Sequence, residues 1–101
     1  MQSSYPEQFE RDMGTSAAEW LAALPRAIGP QHAWQQVGSA AVEVLLPEGR
    51  LHLQWKPLPE RRIALLVMPR LWVGFRFEGT AAEQRLAFMR PFDLAMQRGG
   101  G

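Results

Sequence analysis

The chain predicts an α+β fold: a helix, a four-stranded antiparallel meander and a second helix, packed as a two-layer sandwich with both helices on one sheet face. Three observations carry this expectation. From Val42 to Phe77 apolar residues fall on alternate positions: Val42, Val44 and Leu46; Leu51, Leu53 and Trp55; Ile63, Leu65 and Val67; Leu71, Val73, Phe75 and Phe77. A period of two is the pleat repeat of a strand with one dry face. Ser16 and Glu19 have capping-box spacing ahead of a helical stripe of Ala17, Trp20, Leu21, Leu24 and Ile28. Thr80 and Glu83 repeat that spacing ahead of Ala82, Leu86, Phe88, Met89, Phe92 and Met96.

Taken in order, residues 1–14 are polar and read as a flexible N-terminal arm, residues 15–98 as the domain, and residues 99–101 as a flexible glycine tail. Pro25 removes an amide donor and should stop or kink the first helix near Leu24. Gly29 to Ser39 reads as a connection, with a short extended piece at Trp34 to Val37. Glu48 and Gly49 suit a hairpin loop that sets Leu46 opposite Leu51 and Val44 opposite Leu53. A loop of Leu58 to Glu60 then sets Trp55 opposite Ile63, and Met68 to Arg70 form a third turn with Val67 opposite Leu71. In this scheme Leu53, Trp55, Leu65, Val73 and Phe75 are core. Arg90-Pro91 should kink the last helix.

The order resembles that of frataxin-like and related small α+β sandwiches. The resemblance is one of element order and rests on no motif; the acidic first helix of frataxins is absent. A fold of this kind hosts many functions and implies none.

Length and charge narrow the class. One hundred and one residues suffice for one core. A formal net charge of +1 offers no global attraction to nucleic acid or an anionic membrane. The absence of cysteine removes disulfides, thiol catalysis and thiolate metal sites together. The first residues lack the apolar stretch of a secretory signal, and the longest apolar run, Ile63 to Met68, is far short of a membrane span. The expectation is a soluble cytoplasmic protein with no membrane contact.

If both helices cover one sheet face, the other stays open, and two groups on it stand out. Leu45, His52, Leu66, Met68 and Trp72 form an apolar cluster suited to an interface, either with a second copy as a homodimer or with another protein. Tyr5 and Phe9 of the N-terminal arm are an alternative cover for it. Lys56, Arg62 and Arg76 gather at the opposite end and suit an anion, a carboxylate or a phosphate. Aromatic and cationic ends on one sheet are also what a single-stranded nucleic-acid platform uses, although no glycine-aromatic motif of an RNA-recognition domain is present.

Catalysis has no visible basis. His32 and His52 stand on different elements without a carboxylate spaced to orient either, the serines lack an activating context, and two histidines do not make a metal site. Asp93 and Arg90 suit an i, i+3 surface pair. The expectation is a non-enzymatic binding or homodimerising module with no cofactor.

Overall fold

The structure, a computed structural model, describes residues 3–98; the glycine tail lies outside the described residues. Its elements are β1 (Gln8–Met13), α1 (Ala17–Ile28), β2 (Trp34–Gly38), β3 (Ala41–Leu45), β4 (Arg50–Ile63), β5 (Leu66–Glu78) and α2 (Ala82–Arg98). The strands form one sheet in the order β1-β5-β4-β3-β2, with every pair antiparallel. The class is α+β as expected, but a strand precedes the first helix and the sheet has five strands.

Residues 50–78 make one long hairpin rather than three short strands. Neither the loop at Leu58 to Glu60 nor the turn at Met68 to Arg70 exists; the chain reverses once, at Ala64 and Leu65, between the paired Ile63 and Leu66. Trp55 therefore faces Val73, not Ile63, and Leu53 faces Phe75. Pro57 and Pro59 sit within β4 because β3 has already ended opposite Gln54, and Pro69 sits within β5 because β1 ends opposite Leu71. Each proline thus lies where its strand has a single neighbour, the position a missing amide donor tolerates. The β3–β4 register is displaced by two residues from expectation, with Val44 opposite Leu51 and Val42 opposite Leu53. A shift of two keeps the same side chains on the same face.

Two further strands come from segments the sequence leaves unpatterned. Gln8–Met13, within the expected flexible arm, is edge strand β1 on β5, and Trp34–Gly38, within the expected connection, is edge strand β2 on β3.

The core lies between the sheet and both helices. Val42, Val44, Leu51, Leu53, Trp55, Leu71, Val73, Phe75 and Phe77 supply the sheet side, and Trp20, Leu24, Ile28, Phe88, Met89, Phe92 and Met96 the helix side. The contact is aromatic at its centre: Trp20 meets Trp55 at 5.8 Å between ring centroids, and Phe92 meets Phe75 edge-on at 5.8 Å. The Ser16–Glu19 capping box forms as the spacing predicts. Helix α1 nevertheless runs through Pro25 to Ile28, with that proline on its exposed side and the Gly29 amide donating to the Pro25 carbonyl at 3.0 Å. In α2 the cap is displaced by one residue. Gln84, not Glu83, reaches back to accept from the Ala81 amide at 3.3 Å, and α2 continues through Pro91.

Residues 5–13 are locked to α2 by a polar cluster beside the core. Arg11 donates to both Asp93 oxygens at 2.5 and 3.0 Å, and the Tyr5 hydroxyl donates to Asp93 at 2.6 Å. The Arg11 guanidinium also lies over the Phe75 and Phe9 rings at 5.1 and 5.4 Å. Asp93 is therefore the anchor of β1 on α2 and not the surface partner of Arg90. Tyr5 and Phe9 likewise pack on the helix-covered face, with Phe9 stacked on Phe75 at 4.6 Å, and leave the outer face open.

Burial pushes the Tyr5 phenol above its ordinary value of 10.0, and the Asp93 hydrogen bond and charge add to the rise. A raised folded pKa means the neutral phenol favours the fold, so its contribution is complete below pH 10 and declines as pH rises above it. Tyr5 is the single tyrosine. An ultraviolet titration of the native protein should therefore show one phenol ionising above the free tyrosine range. Titration at the ordinary value would mean that the Tyr5–Asp93 contact does not form.

Candidate functional site

The helices leave one sheet face uncovered, and the ladder fixes what stands on it. Across the sheet one row reads Gln8, Arg76, His52, Glu43 and Gln35; the next reads Glu10, Gly74, Gln54 and Ala41; the third reads Asp12, Trp72 and Lys56. The first row and its flank are tied together by charge. Glu43 accepts from Arg50 at 3.0 Å and lies 3.8 Å from His52, while Glu78 lies 3.8 Å from Arg50 and 3.7 Å from Arg76. Arg50, Arg76 and Glu78 are exposed, and pairs among such groups neutralise one another more than they stabilise, while Glu43 and His52 are half-buried.

The expected anion cluster is dispersed. Lys56 faces Trp72, Arg76 faces His52 and is near Glu78, and Arg62 faces Val67 far along the long hairpin. Nine residues of β5 separate the rows of Arg62 and Arg76, about 30 Å of strand. The expected apolar cluster is dispersed as well, although all five residues are on the outer face. Leu45 stands at one end of the sheet opposite Arg50, His52 and Trp72 stand within it, and Leu66 and Met68 stand beyond its other end.

Trp72 is half-buried because its indole lies over Gly74. A Cβ at Gly74 would stand 2.7 Å from the ring, so glycine is what lets the indole lie flat against the sheet. The hollow beside it is lined by Glu10, His52, Gln54 and Arg76. Among the described residues no nucleophile is paired with a base there, and no three metal-ligating side chains converge anywhere.

The feature missed by pattern reading is the arm. Past Leu71, β5 has left β1 and β4 has left β3, so Pro57–Ile63 and Leu66–Arg70 continue as a bare two-stranded ribbon. It extends about 17 Å beyond the end of β1, and the molecule is elongated, 46 × 30 × 22 Å. Ile63, Leu65, Leu66, Val67 and Met68 are exposed there, Leu65 at 99% and Leu66 at 65%. Leu65, expected in the core, is the most exposed large apolar residue of the protein among those described.

Local chemistry explains the arm's shape. A bulge between Leu58 and Arg61 sets two residues of β4 against one of β5 and reverses which β4 side chains face outward. Arg61 and Ile63 thereby join Met68 and Leu66 on the outer face, and Arg62 turns to the other side with Val67. Arg70 clamps the base: it donates to Asp12 at 2.5 Å and to the Pro59 carbonyl in the bulge at 3.4 Å. That hydrogen bond, together with the charges of Arg70 and Arg61, holds the Asp12 carboxyl below its ordinary value of 3.8. At the tip Ala64 has φ 54°, a left-handed conformation that L-residues adopt at a cost. A positive φ at the first of two loop residues is the pattern of a type II′ hairpin turn, whose usual marker is glycine. Its absence leaves the reversal unsigned in the sequence. The signal that was available is the run Ile63 to Met68 itself, six uncharged residues between Arg61-Arg62 and Pro69-Arg70.

No helix among the described residues is long and apolar enough to cross a membrane. No protein-family model, curated protein or solved structure matches the chain.

Proposed function

We propose that this chain is a non-enzymatic binding and assembly module whose binding element is the arm, together with the outer sheet strip at its base. The observation that supports the reading is the exposure of five large apolar side chains on an element that projects past the sheet and, among the described residues, is tied to the body at its base through Arg70 and Asp12. A bare two-stranded ribbon is marginal in water, and a contiguous exposed apolar group marks either an interaction surface or an aggregation liability. Arg61, Arg62 and Arg70 flank the run, which is how edge strands are kept from indiscriminate pairing. The clamp from Arg70 to Asp12 and Pro59 holds the arm extended in advance, so less ordering is left to be done on binding.

An anion or single-stranded nucleic-acid site on the same sheet is the alternative. It draws on Trp72 lying flat near Arg76, but Lys56 and Arg62 stand too far from Arg76 to grip one phosphate with it.

The test removes the arm by joining Leu58 to Arg70 through an Asn-Gly turn. The shortened chain should melt cooperatively with an unchanged far-ultraviolet spectrum and lose association, followed by sedimentation velocity and by binding to purified partners. Association equal to that of the full chain would overturn the reading. A collapsed melting transition would also overturn it, by making the arm part of the fold.

A further inference from the structure

Two adjacent arginines divide between the faces of the arm. Arg61 stands with Met68 on the outer face and Arg62 stands with Val67 on the other, one residue further along, so the ribbon carries a cation on each side at nearly one height. Beyond them the arm has no charge. Ile63 and Leu66 pair on the outer face, Val67 stands on the other and Leu65 stands at the turn, so the tip is apolar on both faces and at its end. Both arginines are exposed, and among the described residues neither is in an ion pair. Asp12, the carboxylate whose charge Arg61 influences, is already held by Arg70.

Charge is unevenly shared along the chain. Residues 56–70 hold four of the eleven cations, Lys56, Arg61, Arg62 and Arg70, and one of the ten carboxylates, Glu60, so the rest of the chain is net acidic. The net charge of +1, from which no membrane contact is expected, hides this division. The arm extends about 17 Å past the end of β1, twice the roughly 8 Å over which physiological salt screens a charge. An anionic surface meeting the tip therefore senses the arginines and little of the acidic body.

Resting on the reading of the arm as the binding element, we infer that its occupant is an anionic lipid bilayer, entered tip first to the depth of Arg61 and Arg62. The occupant has to cover apolar groups on two faces and an end while meeting cations on both sides. A second copy laid on the arm covers one face and opposes like charges, and a flat protein surface also covers one face. A nucleic acid meets the arginines but leaves Leu65 and Leu66 in water. A bilayer closes round the tip from every side, and its anionic headgroups form a plane across the ribbon where the two arginines stand.

The backbone limits the depth. Past Arg70 both edges of the ribbon have no neighbouring strand, and hydrocarbon would leave their amides and carbonyls unsatisfied. From Arg61 to the turn at Ala64 is three residues, about 10 Å of strand. That lies at the limit of the roughly 5–10 Å to which interfacial segments enter the boundary of headgroup and acyl chain. The arginine stems can follow that boundary while the guanidiniums stay with the headgroups. A short apolar element alone binds marginally and reversibly, and the basic pair supplies the second signal that anchoring needs.

The experiment is co-sedimentation of the full chain with sucrose-loaded vesicles of phosphatidylcholine, with or without about 30% phosphatidylserine, at protein concentrations that stay in the supernatant without lipid. The parent should pellet with the anionic vesicles, bind the neutral ones at least about thirtyfold less well, and be released by added salt. Arg61→Gln with Arg62→Gln should weaken anionic binding about thirtyfold, roughly fivefold per arginine. Arg26→Gln with Arg90→Gln removes the same charge from exposed positions on the helices and should change binding less than about twofold. Leu65→Ser with Leu66→Ser should lower binding to both kinds of vesicle. All six positions are exposed, so circular dichroism should stay parental throughout. Leu65→Trp is an independent measure: its emission should shift to the blue on anionic vesicles and be quenched by lipids brominated near the headgroup end of the acyl chain. A parent left in the supernatant overturns the inference. So do equal binding to the two kinds of vesicle, equal losses from the two arginine pairs, or a Leu65→Trp emission that lipid does not move. If the parent ignores vesicles, yet the chain shortened between Leu58 and Arg70 loses association with a purified protein or nucleic acid, the bilayer is overturned as occupant and the arm remains the binding element. A parent and a shortened chain that behave alike toward vesicles and partners remove both.

Discussion

Phe92→Ala should cost about 3–5 kcal/mol of folding stability. Phe92 is fully buried in α2 and is the hinge of the aromatic core, with ring centroids 6.0 Å from Trp20, 5.8 Å from Phe75 and 5.6 Å from Phe88. Truncation removes its transfer free energy and leaves a cavity whose walls belong to three different elements and cannot close independently. A domain of this size has only about 5–15 kcal/mol in total, so the variant should melt far below the parent or arrive partly unfolded. The control is Leu65→Ala. Leu65 is 99% exposed at the arm tip, and its truncation should change stability by less than about 0.5 kcal/mol. Chemical denaturation of the two variants side by side checks both. Comparable losses would place Leu65 in a core and discard the arm.

Gly49→Ala should cost roughly 3 kcal/mol or more, from two causes that add. Gly49 has φ 79°, a region that costs an L-residue about 1–2 kcal/mol. In addition, its Cβ would stand 2.0 Å from the Glu78 carbonyl oxygen and 2.7 Å from the Gly79 carbonyl carbon, backbone atoms that cannot swing aside. The β3–β4 loop would have to lift away from the end of β5, straining the bond from the Leu46 amide to the Gly49 carbonyl at 3.2 Å. Gly79→Ala separates the two causes. Gly79 has φ 72°, yet its nearest contact would be an ordinary 3.5 Å, so this variant should show the conformational cost alone. Equal losses at the two glycines would mean the loop does not sit against β5.

The contrast between Phe92 and Leu65 also indicates how far the chain can be read unaided. Buried alternation in β3, in the first half of β4 and in the second half of β5 is legible because a helix layer demands an apolar face there. So are the helix stripes, and the Ser16 cap, which is a local hydrogen-bond pattern. The arm inverts the logic. Its apolar residues alternate with nothing to face, its prolines imitate turns while sitting in strands with one neighbour, and its true turn is built on Ala64 without glycine. Strand β1 is hidden for a different reason. Its inward residues are Phe9, Arg11 and Met13, and the arginine breaks the apolar period because it is paired with Asp93, 82 residues away. Of the site, the outward placement of Leu66, Met68 and Trp72 was legible from the period of two along β5. The distance between them was not, since it depends on where the chain reverses.

The strand order β1-β5-β4-β3-β2 has a consequence for the sequence of events during folding. Strands β2 to β5 each pair with the strand next to them along the chain, so this meander can assemble by successive short closures. β1 has no such neighbour. Among the described residues its ladder is on β5 alone, where Gln8 meets Arg76 and Met13 meets Leu71, and Asp93, which holds its Arg11, is contributed by α2. Closing so long a loop costs entropy that nearby pairings do not. On this argument β1 is expected to dock after β5 and α2, with its amides the last to gain protection in hydrogen exchange during refolding; until then one edge of the sheet stands open and Phe9 has no Phe75 to stack on.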